Sequence, residues 1–161
     1  MGKGIVWTEH DPVSAEAEMA DLLYAFVRML KPKIVVETGT YRAFTSKRLG
    51  EAVRDNGLGH VYTCDIQMGA GHLLRIEGLP VTFRQCEAFD LPELKEADFV
   101  FCDSGTHDIR KKEYEYLKSG AVYVVHDTTQ TFDPYHLGEW VIEQGGIRFN
   151  AGRGFGVIIH P

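Results

Sequence analysis

The sequence contains no C-x-x-C pair, no surplus of basic charge, and no apolar run near the roughly 20 residues of a membrane span. Each absence removes a class of function. The three cysteines, Cys64, Cys86 and Cys102, are odd in number and sit in apolar runs. Reduced, buried thiols are expected, and a disulfide framework is not. A formal net charge of −6 argues against general nucleic-acid binding, which neutralises phosphates with Lys and Arg. The only dense basic patch, Arg110-Lys111-Lys112, reads as a solvated helix face. The opening MGKGIVWTEHDP has no apolar signal core, and Val6 stands where myristoylation wants Ser or Thr. The expected location is the cytoplasm, with no membrane partner. Repeats, linkers and low-complexity segments are also missing. The 161 residues, 44% hydrophobic and 25% charged, are expected to form a single domain, 1–161, with its own core.

Periodicity then supplies the elements. In SAEAEMADLLYAFVRML, residues 14–30, Met19, Leu22, Leu23, Phe26, Val27 and Leu30 share one helical face, and Pro32 stops the helix. KIVVE (33–37), HVYTCDI (60–66), VTFRQC (81–86), ADFVFCDS (97–104) and GAVYVVHD (120–127) read as strands. Between them lie a helix over 46–57 capped by Asn56-Gly57, a weaker one over 69–77 and a short one over 108–117. A helix at about 136–144 precedes the tail GIRFNAGRGFGVIIHP, which reads as two strands joined by a Gly-containing turn. Alternating strands and helices predict an α/β fold: a doubly wound, mostly parallel seven-stranded sheet with an antiparallel hairpin at its C-terminal end.

In such a sheet, ligands bind at the carboxyl ends of the strands. Those ends carry Glu37, Asp65, Cys86-Glu87, Asp103 and His126-Asp127, so an acid closes nearly every parallel strand. One such acid is more often a helix cap. Five at one edge describe a site. The loop VVETGTYRAFTS after the first strand lacks the three glycines of a dinucleotide fingerprint, having Gly39 alone and Tyr41-Arg42-Ala43 beyond it. A ligand without phosphates is favoured, which disfavours a nicotinamide enzyme. Glu37 is expected to face an ammonium or a bridging water, and Gly39 to let the backbone approach. Asp65, 26 residues after Gly39 (65 − 39), is placed to accept both hydroxyls of a ribose. An ammonium and a ribose without phosphate describe S-adenosylmethionine.

On these residues the chain resembles the class I S-adenosylmethionine-dependent methyltransferases. It is most similar to their small-molecule O-methyltransferase and cephalosporin-hydroxylase-like group (methyltransferase domain 24). The matching pieces are ETGTYRAFTS for an E-x-G-x-Y-R-G-x-S loop, and YTCDI for the ribose acid. VFCDSGTHDIRKKEYEYLKSGAVYVVHDTT matches a D-x-x-H…L-x-x-G-G…H-D segment, and GRGFGVIIH the closing strand. The resemblance runs from about Ile34 to the C-terminus and implies a Rossmann-like fold. It implies cofactor contacts at Glu37, Gly39, Thr40, Tyr41, Thr45, Ser46, Asp65, Ile66, Glu87 and Asp103. The N-terminal segment, 1–31, is expected to cover the cofactor cleft. Ala43 departs from the pattern by replacing the second loop glycine, where its methyl is expected to crowd the methionine end of the cofactor. His107 falls one residue later than the family's histidine.

Methyl transfer from a sulfonium is an in-line displacement that must orient and deprotonate its acceptor. A divalent cation can lower the pKa of an acceptor hydroxyl. The resemblance implies Asp103, Asp127 and His126 as ligands for Mg²⁺, although Thr128 stands where metal-dependent catechol-type relatives carry asparagine. The alternative for these acids is that Asp103 contacts the cofactor and Asp127 caps the next helix. Catalytic roles are expected of Asp103 and of His126 and His107, the candidate bases. Tyr135 and His136 are candidate contacts to a small-molecule acceptor. Two functions stay open: an S-adenosylmethionine-dependent O-methyltransferase, possible as a homo-oligomer, or a non-catalytic S-adenosylmethionine-binding module serving as a regulatory or assembly subunit.

Overall fold

The computed structural model describes residues 7–11, 13–67, 70–129 and 136–161, with Ala70 and Gly71 described in their backbone only. Five strands are parallel: β1 (Ile34–Thr38), β2 (His60–Asp65), β3 (Val81–Gln85), β4 (Phe99–Cys102) and β5 (Val122–His126). β6 (Ile147–Phe149) and β7 (Phe155–Ile159) add an antiparallel hairpin at one edge. The sheet order is β3-β2-β1-β4-β5-β7-β6. The chain thus has the α/β architecture that its alternating pattern predicts.

Strand residues divide between the two faces with the period of two that a pleated backbone imposes. Val36, Val100, Cys102, Tyr123 and Val125 belong to one core, where α3 (His107–Tyr114) supplies Tyr114 and α4 (Leu137–Glu143) supplies Leu137 and Val141. Val35, Phe99, Phe101 and Val124 belong to the other, under Leu23 and Val27 of α1 (Ala17–Leu30) and Leu49 and Val53 of α2 (Phe44–Asn56). Covering both faces buries β4 at every position, as a central parallel strand requires.

Several boundaries differ from expectation. α1 starts at Ala17 rather than Ser14 because Asp11 accepts the backbone N–H groups of Val13 (2.9 Å) and Ser14 (2.8 Å), a local turn that competes with a helix. Leu30, expected on the buried face, is 49% exposed, since Lys31 turns left-handed (φ 50°) directly after it. The weak helix over 69–77 is a 3₁₀ helix, Ala70–Arg75. Two more 3₁₀ helices, Ala88–Asp90 and Pro92–Glu96, connect β3 to β4 where no helical period is legible. Leu91 between them and Leu94 of the second belong to the first core. Gly57 closes α2 as expected, in a left-handed conformation.

Strand order reverses at β1. Thr38 pairs with Cys64 of β2 on one side and with Cys102 of β4 on the other. The connections leaving β1 and β4 then diverge, and a crevice opens beyond their carboxyl ends.

Candidate functional site

That crevice is a cavity of about 480 Å³. Gly39, Thr40, Tyr41, Phe44 and Thr45 form one wall, and Asp65, Ile66 and Glu87 another. Asp103, Ser104, Ile109, Arg110, Asp127 and Arg153 lie at the β4–β5 end. Among the described residues of the N-terminal segment, Val13, Ser14 and Ala15 reach it. α1 itself packs on α2 and the sheet.

Gly39, on the cavity wall, also meets a second neighbour. At φ +92° its backbone meets that of the loop after β4, and a Cβ there would stand 2.6 Å from the Asp103 carbonyl oxygen. Backbone cannot swing aside as a side chain can. Gly39→Ala should cost about 1–3 kcal/mol of stability, read as a lower urea midpoint at unchanged slope.

Asp65 ends β2 on the cavity wall. Its Oδ2 accepts the Tyr41 N–H at 2.8 Å and its Oδ1 the Gln67 N–H at 3.0 Å. Each oxygen keeps a second lone pair for a ligand hydroxyl. Glu37 and Ser46, in contrast, do not line the cavity. Glu37 is 1% exposed and accepts hydrogen bonds from Ser46 Oγ and from Thr63 Oγ1 at 2.6 Å. Burial pushes its carboxyl up to about 8, with the negative charges of Asp103 and Asp65 adding to the rise. It ties the loop's helix to β2, and its burial off the cavity wall does not present it to an ammonium as expected. Ala43 is also sealed off, in a left-handed conformation (φ 59°) at the N-cap of α2, so its methyl does not crowd the cavity.

His126 and Asp127 end β5. Asp127 is held at φ +62°, unusual for a residue with a side chain and typical of functional positions. Both nitrogens of His126 are engaged: Nε2 lies 2.9 Å from Glu16 Oε2 and Nδ1 3.3 Å from Asp103 Oδ1. Its burial would lower its pKa, but Asp103, Glu16 and Asp127 raise it to about 9. The same contact and the Arg153 N–H (2.7 Å) hold Glu16 at about 2 against the effect of burial. His126 is 1% exposed, off the cavity wall and engaged at both nitrogens, so in this arrangement it does not face an acceptor as the base expected of it would. It borders a second cavity of about 300 Å³, with Trp7, Met19, Leu22, Phe149 and Phe155. His107 opens α3, half-buried and off the cavity wall. Its later position places it on the helix instead of in the loop. His136 is exposed beside Glu139, away from the cavity, and Tyr135 lies outside the described residues.

The ligand atoms of Asp103, His126 and Asp127 lie within 4.8 Å of one another, close enough for a metal. The same oxygens are already covered. Arg153 Nε is 2.7 Å from Asp127 Oδ1 and its Nη2 2.9 Å from Oδ2. Arg110 Nη2 lies 3.4 Å from Asp103 Oδ1, and Nη1 3.5 Å from Asp127 Oδ2. Burial alone would raise Asp103, but His126, Arg110 and Arg153 hold its carboxyl below the usual range. Thr128 is fully buried and off the cavity wall, so it offers no ligand. The donor set does not fit a divalent cation. The reading of Arg110 as part of a solvated face is also corrected, since only Lys112 of that patch is exposed and Arg110 is 5% exposed.

Arg110, Arg153 and Glu16 escape the sequence pattern, as do Glu113 and Ser104. Glu113 is buried and accepts bonds from Thr38 Oγ1 (2.7 Å), Cys102 Sγ (3.0 Å) and Ser104 Oγ, joining β1 to the loop after β4. Of the thiols, Cys64 and Cys102 are buried and Cys86 is half-buried at the cavity wall. All three are free, and burial raises their pKa values.

No protein-family model matches the chain, and no curated protein matches its sequence. Solved structures do resemble it. The O-methyltransferase TomG of Streptomyces achromogenes, involved in tomaymycin synthesis and in complex with SAM, aligns with a TM-score of 0.71 at 19% identity, over 92% of this chain and 82% of that one. A methyltransferase of Geobacter sulfurreducens gives 0.73 at 16% identity, over 91% and 79%. An O-methyltransferase of Bacillus cereus, in complex with SAH, gives 0.66 at 14% identity, over 92% and 84%. The chain shares its fold with these methyltransferase structures.

Proposed function

We propose that the chain is an S-adenosylmethionine-dependent methyltransferase that methylates a small-molecule hydroxyl in the cytoplasm. The observation that carries this reading is Asp65, fixed at the wall of a strand-end cavity with acceptor capacity left on both oxygens. Gly39, Thr40, Tyr41, Thr45, Ile66, Glu87 and Asp103 share that wall and are read as the cofactor's other contacts. The solved structures of the same fold are methyltransferases, two of them holding SAM or SAH. A binding-only module is therefore the less favoured reading. Among the described residues no imidazole lines the cavity. Asp103, on that wall, is read as the remaining candidate to orient and deprotonate the acceptor hydroxyl. The thioether leaves without needing an acid.

Calorimetry tests the cofactor. S-adenosylmethionine and S-adenosylhomocysteine should each give saturable heat, and NAD none. Asp65→Asn removes one charge-assisted acceptor and should weaken S-adenosylmethionine binding by about 1.5–3 kcal/mol. Tight NAD binding with no S-adenosylmethionine heat would exclude the proposal.

A further inference from the structure

Two carboxylates converging at the head of a cleft repel unless positive charge stands between them. Here the chain itself supplies that charge. Arg153 Nη2 donates to Asp127 Oδ2 at 2.9 Å, and its Nε stands in ion-pair contact with Oδ1 at 2.7 Å, so a guanidinium nitrogen lies against each oxygen. Arg110 spans the two acids, Nη2 at 3.4 Å from Asp103 and Nη1 at 3.5 Å from Asp127. Two acids face two guanidinium groups, and their charges cancel before any ion arrives. Mg²⁺ demands near-octahedral oxygen ligands at about 2.0–2.1 Å. It would have to displace Arg153 from both oxygens of Asp127.

Arg153 is firmly held. Its Nη1 donates to the Val13 carbonyl at 3.1 Å, its N–H to Glu16 Oε1 at 2.7 Å, and its carbonyl accepts the Thr129 N–H at 3.0 Å. The preceding Gly152 (φ +59°) makes this approach possible, because a Cβ there would stand 2.5 Å from Glu16 Oε1. The turn between β6 and β7 is thus built to deliver a guanidinium to Asp127.

We propose that Arg153, with Arg110, occupies the position a divalent cation would take between Asp103 and Asp127, so that this site takes up neither Mg²⁺ nor Mn²⁺. The methyltransferase reading enters only in saying what such an ion would have done. Mn²⁺ uptake, followed by electron paramagnetic resonance on the full chain, tests the proposal, with S-adenosylmethionine calorimetry in EDTA run in parallel. The wild type should leave millimolar Mn²⁺ free, and Arg153→Gln, which uncovers Asp127, should bind it saturably. Saturable uptake by the wild type that Asp127→Asn abolishes overturns the proposal. A folded Arg153→Gln protein that takes up no Mn²⁺ also overturns it. If Arg153→Gln does not fold, Arg153→Lys, which keeps one charge but cannot cover both oxygens, takes its place with the same two outcomes. Absence of S-adenosylmethionine heat removes the functional reading and leaves the metal result standing.

Discussion

Arg110→Met should lower the unfolding free energy by about 3–5 kcal/mol, the usual cost of leaving buried charges without their partner. For a chain of this length that corresponds to a melting temperature lower by roughly 6–20 °C. Methionine replaces most of the stem, so the loss comes from the polar head. Nε donates to the Ser104 carbonyl at 2.8 Å and Nη1 to the His126 carbonyl at 2.8 Å. The terminal nitrogens also reach Asp103 and Asp127. Arg110 therefore fastens the loop after β4 to the end of β5, and its removal strands two carbonyls and takes one cation from each of two buried carboxylates. Arg110→Lys should recover part of the loss, since one ammonium cannot span four acceptors. Lys112→Ala, in the same basic patch but exposed, should stay within about 0.5 kcal/mol of wild type. Urea titration of the three variants decides the matter. An Arg110→Met protein as stable as Lys112→Ala would mean the buried network is not what joins these strands.

That contrast marks where reading the sequence succeeds. Strand runs such as IVVE and FVFC announce themselves through β-branched and aromatic residues, and the acids after them fall at strand ends because parallel strands share one direction. The place of the cavity and its strand-end acids Asp65, Glu87, Asp103 and Asp127 were legible on that basis. Which acids face the cavity was not. Glu37 and Asp65 look alike in sequence, yet Glu37 lies within β1 and is sealed by Ser46 and Thr63, while Asp65 is the last residue of β2. The cationic half of the site was not legible either. Arg110, Arg153 and Glu16 come from a helix, a hairpin turn and the N-cap position of α1, and they meet only through tertiary packing. Glu16 even resembles an ordinary helix-start acid, but its side chain makes no cap bond and is committed to His126 and Arg153. Local patterns report the backbone's periodicity, and long-range ion pairs leave no trace in it.

Stability should be greatest near about pH 5 and fall steadily towards pH 9, because buried groups hold protons that the unfolded chain releases, Glu37 and His126 foremost, with Glu113 raised by burial in the same direction. Glu37 is raised by burial from 4.5 to about 8. Its contribution is whole below 4.5 and lost as pH climbs to about 8, where the native state must ionise a carboxyl with no water around it. His126 moves from 6.5 to about 9 through Asp103, Glu16 and Asp127, against the effect of its own burial. Its contribution is whole below 6.5 and is lost as pH rises through about 9. At 1.36 kcal/mol per unit, that difference amounts to about 3 kcal/mol. On the acid side Glu16, lowered from 4.5 to about 2 by the same contact with His126, contributes above 4.5 and loses its share as pH falls towards 2. The pair is one interaction seen from two partners, so its two limbs bound a single plateau and do not add. Urea midpoints measured at intervals from pH 4 to 10 should show the decline, and variants separate its sources. Glu37→Gln keeps an oxygen for Ser46 and Thr63 but cannot ionise, so it should flatten the limb between about 4.5 and 8. His126→Gln should remove the limb between 6.5 and 9. A wild-type profile that is level, or that rises from pH 6 to 9, would show that none of Glu37, Glu113 and His126 carries a proton in the native state.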